Sequence, residues 1–318
     1  MTFRSQSLLF TGVVLGTLVL TRVDFASQTT IPAEHAAVRE DGGDAMPANN
    51  LSYQGAALAN PALRFTKVPV RKWDVLDPDV QAESVLIQLL DENTPLLRHN
   101  THVPWPTASL AKLMTAVVVL DEAGTNKKIS ISKTAVLTEG EAGGLVSGEI
   151  YTSRDLLKIL LLTSSNDAAT AFEEYLGGRD AFARLMNTKA EQLGMTKTIF
   201  HDAAGLSDLD ETTASDYYRL VMYILETYPD IFSWTRLSSF LVQPINDTQS
   251  RVLSNINPLV SDSRFLGGKT GTAPYSRENL AAVLSFKTYR VLVILLGSSN
   301  RISELDELLS WVEQAYEF

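Results

Sequence analysis

The sequence has no cysteine and only 4 histidines among its 318 residues. The absence of cysteine excludes disulfides, thiolate nucleophiles and cysteine-ligated metal sites. No His-Glu-x-x-His string occurs, which disfavours a zinc hydrolase. Basic residues are also scarce, with 27 Lys and Arg against 37 Asp and Glu and a formal net charge of −10. Because no basic stripe is present, the chain is not expected to bind nucleic acid, and nothing in it predicts a cofactor or a metal.

A hydrophobic run long enough to span a bilayer is missing too. Arg4 is followed by an apolar run over Leu8–Leu20, which has 13 residues, whereas a membrane-spanning helix needs roughly 20. The run suits the core of an export signal, although no good small-x-small cleavage site follows it. We therefore expect residues 1–26 to be a signal peptide or an N-terminal membrane anchor. Either outcome places the rest of the chain outside the cytoplasmic membrane, in the periplasm or cell envelope, secreted or associated with the membrane through its N-terminus.

The composition changes after this segment. Residues 27–64 contain few large apolar side chains and several Ala, Gly, Asn, Gln and Pro, which is typical of a flexible tether. Residues 65–318 are expected to form one catalytic domain, since a hydrophobic content of 45% is ample for a core. Strand patterns at both ends and a mainly helical insert over about 125–235 favour an α/β fold. Its sheet should be mainly antiparallel and flanked by helices, with an all-helical subdomain.

The hydrophobic periodicity predicts the main elements of this domain. Strands are predicted over Val85–Leu90, Leu96–Arg98, Phe240–Gln243, Leu280–Phe286 and Tyr289–Leu296. Helices are predicted over Ser109–Glu122, Ser153–Leu162, Asp167–Tyr175, Arg179–Leu193, Ser215–Thr227 and Ser303–Tyr316. The first two and the last two of the named strands suggest hairpins at either end of the domain.

A first motif carrying chemistry is Ser-x-x-Lys, formed by Ser109 and Lys112. Residues three apart on a helix share one face, and the dipole at a helix N-terminus favours developing negative charge. A serine hydroxyl needs a base, and a neutral lysine can serve where burial and a neighbouring cation lower its pKa. Most strings of this kind are only a serine N-cap and a surface lysine, so the motif alone is weak.

A second motif, Ser164-Ser165-Asn166, falls between two predicted helices. Thr152 and Asp155 are spaced as a capping box for the first of these helices. Ser164 could relay a proton, and Asn166 offers a donor and an acceptor that match a substrate amide. The alternative is a helix N-cap, because Ser and Asn are both favoured there.

A third motif, Lys269-Thr270-Gly271, lies in a Gly-rich strand over Phe265–Ala273. Glycine inside a strand often marks the close approach of a ligand or another backbone. A peptide could pair with this strand by β-augmentation, with Lys269 supplying positive potential and the threonine hydroxyls meeting a carboxylate. The alternative is a Gly-rich turn with a solvated lysine.

The three motifs in this order resemble the signature set of serine penicillin-binding proteins and serine β-lactamases. Within that group the chain is most similar to the low-molecular-mass D-alanyl-D-alanine carboxypeptidase and endopeptidase family. The similarity runs from about Ala82 to the C-terminus and includes Ala108–Ala116, Ser165–Ala169 and Gly205-Leu206. Ser165 is a departure, because the family commonly has glycine there. The resemblance implies the β-lactamase/DD-peptidase-like fold, with a cleft between the sheet edge and the helical subdomain.

The resemblance also implies a role for each motif residue. The catalytic residues would be Ser109 as the acylated nucleophile, Lys112 as its general base and Ser164 in proton transfer. The substrate-binding residues would be Asn166, Lys269, Thr270, Gly271, Thr272 and Arg301. The backbone N–H groups of Ser109 and Thr272 would form the oxyanion hole. For Arg301, binding of the substrate's terminal carboxylate competes with a surface arginine that caps a loop.

By the same resemblance, the substrates would be peptidoglycan stem peptides and the covalent inhibitors β-lactam antibiotics. The favoured activity is a carboxypeptidase that removes a terminal D-Ala, and the alternative is a DD-endopeptidase that cuts cross-links. A class A β-lactamase is disfavoured because no Glu-x-x-Leu-Asn string lies between the second and third motifs. An inactive peptidoglycan-binding relative and an unrelated secreted binding module stay open. His201-Asp202 could imitate part of a triad, but a structural histidine is the favoured interpretation.

Overall fold

The computed structural model describes residues 68–140 and 143–318. The predicted export segment, residues 1–26, and the predicted tether, residues 27–64, lie outside the described residues. In the part of the chain that is described, no helix combines the length and the apolar character needed to cross a bilayer.

The described residues form the following elements. The strands are β1 (Val70–Arg71), β2 (Ser84–Leu89), β3 (Thr94–His99), β4 (Trp105–Pro106), β5 (Lys128–Ser130), β6 (Ile150–Thr152), β7 (Glu211–Thr212), β8 (Ser239–Val242), β9 (Arg251–Ser254), β10 (Phe265–Ala273), β11 (Arg277–Phe286), β12 (Tyr289–Ser298) and β13 (Tyr316–Glu317). The α-helices are α1 (Ala111–Glu122), α2 (Lys133–Val136), α3 (Ser153–Leu162), α4 (Asn166–Tyr175), α5 (Arg179–Gln192), α6 (Ala214–Thr227), α7 (Asp230–Thr235) and α8 (Arg301–Ala315). Short 3₁₀ helices cover Ala108–Leu110 and Pro258–Ser261.

A five-stranded antiparallel sheet in the order β10-β11-β12-β2-β3 is the centre of the fold. Both predicted hairpins are confirmed, since β2 pairs with β3 and β11 pairs with β12. Pairing of β12 with β2 joins the two ends of the domain into one sheet. This order leaves β10, which carries the third motif, at one edge.

Both faces of this sheet are buried, and β12 shows how. Successive side chains of a strand point to opposite faces. Leu292, Ile294 and Leu296 pack into the core that the helices α1, α3, α4, α5 and α6 share. Val291, Val293 and Leu295 pack on the other face, against α8. A strand buried on both faces reads as a continuous apolar run, which explains the sequence pattern of this segment.

The last helix closes the second face of the sheet. The side chain of Asn300 accepts a hydrogen bond from Ser303 N at 3.1 Å and caps α8. The helix therefore begins at Arg301, earlier than predicted. Leu305, Leu308 and Val312, spaced at helical intervals, are buried against the sheet.

The segment between the two halves of the sheet contains α1 to α7, together with short strands. β5 pairs with β6 there, and β4 pairs with β7. Thr152 caps α3, because its Oγ1 accepts from Asp155 N at 3.1 Å. The Asp155 carboxylate accepts from the Thr152 hydroxyl at 3.0 Å, so only the N-cap half of the predicted capping box is seen. The predicted strand near Phe240 exists as β8, but it pairs with β9 in a separate two-stranded hairpin.

Candidate active site

The candidate nucleophile lies in a tight turn that leads into α1. The chain arrives extended through β4 and then forms the 3₁₀ turn Ala108–Leu110, which contains Ser109. The α-helix therefore starts at Ala111 and not at Ser109 as predicted. Residues three apart share one face of a helical turn, and Lys112 Nζ, from the first turn of α1, donates to Ser109 Oγ at 2.9 Å. Ala108 has a φ of +45°, which is uncommon for a residue other than glycine. Backbone conformations of this kind are often found at functional sites.

The side chain of Lys112 is fully buried. Its Nζ also donates to Asn166 Oδ1 at 2.8 Å and to the carbonyl oxygen of Ala204 at 2.6 Å. An amide oxygen and a carbonyl oxygen only accept hydrogen bonds, whereas the serine hydroxyl carries a proton. Among these three contacts, Ser109 is therefore the group from which Lys112 can take a proton.

The two serines of the second motif have different contacts: Ser165 caps a helix, and Ser164 faces the candidate site. Ser165 Oγ accepts from Ala168 N at 2.9 Å and caps α4, so the N-cap interpretation holds for this residue. Ser164, with a φ of +54°, instead accepts from Lys269 Nζ at 2.9 Å. The amide of Asn166 accepts from Lys112 and donates to the carbonyl oxygen of Glu139 at 2.7 Å. The structure thus brings Ser164 and Asn166 to the two lysines.

The third motif lies against the nucleophile turn. Lys269 is 3% exposed and also donates to Thr270 O at 2.9 Å, so it is not the solvated lysine of the alternative interpretation. A Cβ on Gly271 would stand 3.0 Å from Thr107 O and 3.2 Å from Ser109 N. The glycine therefore lets β10 approach the backbone of the turn closely, as the strand glycines suggested.

The free edge of β10 faces the same place. Gly268 N donates to Thr235 Oγ1 at 3.0 Å, and Thr270 O accepts from Lys269, so both groups point away from β11. Backbone groups of alternate residues point to the same side of a strand, which puts the N–H of Thr272 on this free edge. The N–H of Ser109 lies nearby, beside Gly271. Both backbone N–H groups are therefore close to the same stretch of β10.

Arg301, the first residue of α8, lies beside the end of β10. Its Nη1 donates to Gly271 O at 2.8 Å and to Thr272 Oγ1 at 2.7 Å. The side chain is 15% exposed, and its Nε stands 3.8 Å from Glu278 Oε2. Burial lowers the pKa of Arg301, and the charge of Glu278 opposes that shift. The residue therefore supplies positive charge beside β10 and is not a surface arginine that caps a loop.

A loop over residues 202–207 supports Lys112 from the opposite side. The carboxylate of Asp202 is buried and accepts from five donors: Ala204 N (2.8 Å), Gly205 N (2.6 Å), Leu206 N (3.0 Å), Ser207 N (2.8 Å) and Arg179 Nη2 (3.0 Å). These bonds fix the peptide unit whose carbonyl oxygen meets Lys112. Asp202 is thus a structural acceptor, and His201 contacts Asp210 at 3.1 Å instead, so the pair His201-Asp202 forms no catalytic dyad.

Some groups of the site were missed from the sequence. The carbonyl oxygens of Glu139 and Ala204 are backbone atoms, which no residue pattern identifies. Glu173, which accepts from Ala203 N at 2.7 Å, could have been found, because Asn166, Thr170 and Glu173 follow one helical face at i, i+4 and i+7. Within residues 68–140 and 143–318, no group of three His, Cys, Asp or Glu side chains could hold a metal ion.

Comparison with known proteins gives a consistent family. Residues 72–300 match the family model of peptidase S11, described as D-alanyl-D-alanine carboxypeptidase. The chain is 28% identical over 220 residues to the D-alanyl-D-alanine carboxypeptidase DacB2 of Mycobacterium tuberculosis, covering 69% of this chain and 76% of the relative. It is 32% identical over 227 residues to the D-alanyl-D-alanine endopeptidase of Haemophilus influenzae, covering 70% and 77%.

A solved structure supports the fold. The crystal structure of D-alanyl-D-alanine carboxypeptidase from Mycobacterium tuberculosis superposes with a TM-score of 0.69 at 26% identity. The superposition covers 77% of this chain and 96% of the other. The antiparallel sheet and the helices that flank it are therefore those of the predicted fold class.

The close contact of Gly205 with the nucleophile turn generates a stability prediction. Gly205 has a φ of +76°, and a Cβ there would stand 1.9 Å from Ala108 O. Gly124 has a similar φ of +64° but nothing within 4 Å of an added Cβ. Gly124→Ala should cost only the left-handed strain of about 1–2 kcal/mol, whereas Gly205→Ala should cost at least about 2 kcal/mol more because backbone must move. Urea denaturation measures both, and equal losses would contradict the packing described.

A second prediction concerns Asp210, which lies behind the nucleophile turn. Burial, with a smaller contribution from Asp202, raises the pKa of Asp210 to about 8, and its Oδ2 has no hydrogen-bond partner among the described residues. The folded protein then binds this proton more tightly than the unfolded chain, so the group's contribution to stability decreases as the pH rises towards 8. Asp210→Asn removes this dependence.

The test is urea denaturation of both proteins at pH 7 and pH 9. The free energy of unfolding of the wild type should fall relative to that of Asp210→Asn by on the order of 1 kcal/mol over this interval. A difference between the two proteins that does not change with pH would show that the carboxyl is already ionised at pH 7.

Proposed function

The chain belongs to the D-alanyl-D-alanine carboxypeptidase family of serine peptidases, and on that basis we propose that it removes the C-terminal D-alanine from peptidoglycan stem peptides. The observation that carries the proposal is the contact of the buried Lys112 with Ser109 at 2.9 Å. A second lysine, Lys269, contacts Ser164 at the same distance. This arrangement supplies a nucleophile, a base and a proton relay without histidine.

The first chemical step forms an acyl-enzyme. Lys112, as the neutral amine and so accepting from the Ser109 hydroxyl instead of donating to it, takes the hydroxyl proton while Oγ attacks the carbonyl carbon of the penultimate D-Ala. The oxygen of this carbonyl becomes negative and is held by the N–H groups of Ser109 and Thr272. Removal of one such donor typically costs about 3–4 kcal/mol of transition-state stabilisation.

Collapse of this intermediate breaks the bond to the leaving D-Ala. The proton travels from Lys112 to the leaving nitrogen through Ser164, whose hydroxyl Lys269 orients. D-Ala departs as a free amine, and the rest of the peptide remains as an ester on Ser109. Water then attacks the ester with the proton transfers reversed, which releases the shortened peptide and restores the hydroxyl.

Substrate orientation follows from the free edge of β10. An extended peptide can pair with the backbone of Thr270 and Thr272. The Asn166 amide, at the start of α4 on the opposite side of the cleft, would hydrogen-bond to a peptide group of the same substrate. Arg301 lies beside Thr272, and the terminal carboxylate of the substrate would bind there. A carboxylate that meets a guanidinium and a hydroxyl gains charge-assisted hydrogen bonds.

A second candidate activity is a DD-endopeptidase, which the 32% identity to the Haemophilus influenzae D-alanyl-D-alanine endopeptidase favours. The two reactions use the same acyl-enzyme and differ in the amine that leaves. A β-lactamase stays disfavoured, because no Glu-x-x-Leu-Asn string lies between the second and third motifs. Without that glutamate to activate a water, the penicilloyl group should remain on Ser109. Residues 65–318 would act outside the cytoplasmic membrane after export directed by residues 1–26.

Mass spectrometry of the intact protein with benzylpenicillin tests the acyl-enzyme. One adduct per protein should form, persist and map to Ser109, and Ser109→Ala should remove it. Ser165→Ala is the matched control, since this neighbouring hydroxyl caps a helix and should still allow labelling. Rapid loss of the adduct with hydrolysis of the drug would identify a β-lactamase, and a folded protein without an adduct would contradict the proposal.

Digestion of purified muropeptides separates the two peptidase activities. A carboxypeptidase should release free D-Ala from monomeric pentapeptides and leave cross-linked dimers intact. Conversion of dimers to monomers without release of D-Ala would overturn the first candidate in favour of the endopeptidase. Ser109→Ala should be inactive in either assay.

A further inference from the structure

A buried asparagine of β11, Asn279, contacts the nucleophile turn and belongs to none of the three motifs. Its side chain is fully buried, and it lies opposite Gly271 in the antiparallel pairing of β10 with β11. Side chains that face each other across a pair of strands lie on the same face of the sheet. The amide of Asn279 therefore points to the side on which Gly271 meets the nucleophile turn.

The amide of Asn279 joins the nucleophile turn to the central sheet. Its Nδ2 donates to Pro106 O at 2.8 Å and to Thr107 O at 3.1 Å. Its Oδ1 accepts from Gly297 N of β12 at 2.9 Å. Because the donors and the acceptor of the amide are all used, its orientation is fixed. The side chain thus holds two consecutive carbonyl groups that lie just before Ser109.

An irregularity of the sheet places Gly297 N at this amide. The pairing of β11 with β12 shifts by one residue between Glu278 and Leu280, and Gly297 has a φ of +77°. The extra residue of a β-bulge is left out of the regular ladder, and here Asn279 Oδ1 accepts from its N–H. The bulge therefore supplies the contact that orients the amide towards the nucleophile turn.

The nucleophile turn needs this support because its backbone is strained. The φ of +45° at Ala108 belongs to a class of conformations that persist only where the surrounding structure fixes them. The preceding residue is held at both of its backbone groups. Thr107 N donates to Asp210 O at 2.8 Å, and Thr107 O accepts from Asn279. Asn279 thus fixes the strained turn from the side of the central sheet.

We propose that Asn279 is a positioning residue that sets the distance between the two donors of the oxyanion hole. The proposal rests on the proposed function, in which the N–H groups of Ser109 and Thr272 hold the developing oxyanion. One donor belongs to the nucleophile turn and the other to β10. Asn279 connects them, since its backbone pairs with β10 and its amide holds the turn. Such donors stabilise a transition state because their positions are fixed before the reaction.

The kinetics of acylation by benzylpenicillin in Asn279→Ala test the proposal. Removal of an oxyanion donor lowers a rate by about 10²- to 10³-fold, and a displaced donor keeps part of its effect, so the acylation rate constant at saturating drug should fall by at least about tenfold. The drug concentration that gives half of the maximal rate should change much less, because the weakened interaction is made in the transition state. Stopped-flow measurements over a range of drug concentrations give both quantities.

A merely structural role of Asn279 predicts a different result. Fewer molecules would then be folded, so the fraction labelled in mass spectrometry of the intact protein would fall while the rate constant stayed unchanged. Asn257→Ala is the matched control. Asn257 is also buried, and its Oδ1 caps the 3₁₀ helix Pro258–Ser261 by accepting from Leu259 N at 3.1 Å. This variant should keep the wild-type rate constant.

A second variant, Asn279→Val, covers the case in which the alanine variant does not fold. Valine fills more of the space and suits a strand, but it also lacks the amide, so the rate constant should fall in the same way. A wild-type rate constant in either folded variant overturns the role of Asn279 and leaves the peptidase intact. A folded wild type that neither reacts with penicillin nor releases D-Ala overturns the proposed function, and the role of Asn279 with it.

Discussion

The position of one buried amine, Lys112 Nζ, is the constraint on which the rest of this structure depends. The amine lies among Ser109 Oγ, Asn166 Oδ1 and Ala204 O, at 2.6 to 2.9 Å from each. These acceptors come from three separate parts of the chain, namely the nucleophile turn, the start of α4 and the 202–207 loop. A polar group without access to water needs such partners, so burial of this amine requires the three parts to meet. The same meeting assembles the active site.

The backbone around this amine is arranged for close approach. Gly271 lets β10 lie against the nucleophile turn, and Gly205 lets the supporting loop lie against Ala108. Asp202 then holds the loop through four backbone N–H groups and Arg179. The central sheet contributes the edge strand β10. Lys269 belongs to this strand, and Lys112 and Arg301 lie close to it. Rigid elements therefore supply the positions, and the polar side chains supply the chemistry.

Much of this could be predicted from the sequence, because the signals are local. Apolar runs on either side of a short polar turn predicted the hairpins within residues 85–98 and 280–296, and the capping-box spacing predicted the start of α3. The three motifs identified the side chains that the structure brings together. The separate roles of Ser164 and Ser165 could not be predicted, since both are good N-cap residues, and only the backbone conformation of Ser164 directs its hydroxyl to Lys269.

Tertiary contacts explain what the sequence left open. The carbonyl oxygens of Glu139 and Ala204 hold the site, but a backbone atom has no residue identity to recognise. The burial of Glu173 depends on a loop 30 residues away along the chain, so its spacing on α4 becomes meaningful only once Ala203 is placed. The predicted start of α1 at Ser109 differs from the observed start at Ala111, because the chain enters the helix through a 3₁₀ turn. The two starts differ only in the hydrogen-bond pattern of the first residues.

The central claim is that Lys112 is the base that activates Ser109, and its most direct test is the rate of acylation by benzylpenicillin in Lys112→Met, followed by stopped-flow fluorescence. Methionine keeps an unbranched side chain of similar length without the amine. The account predicts an acylation rate constant lower by about 10³-fold in a protein whose circular dichroism spectrum is that of the wild type. A rate within about threefold of the wild type would contradict the account, because another group would then have to take the proton of Ser109.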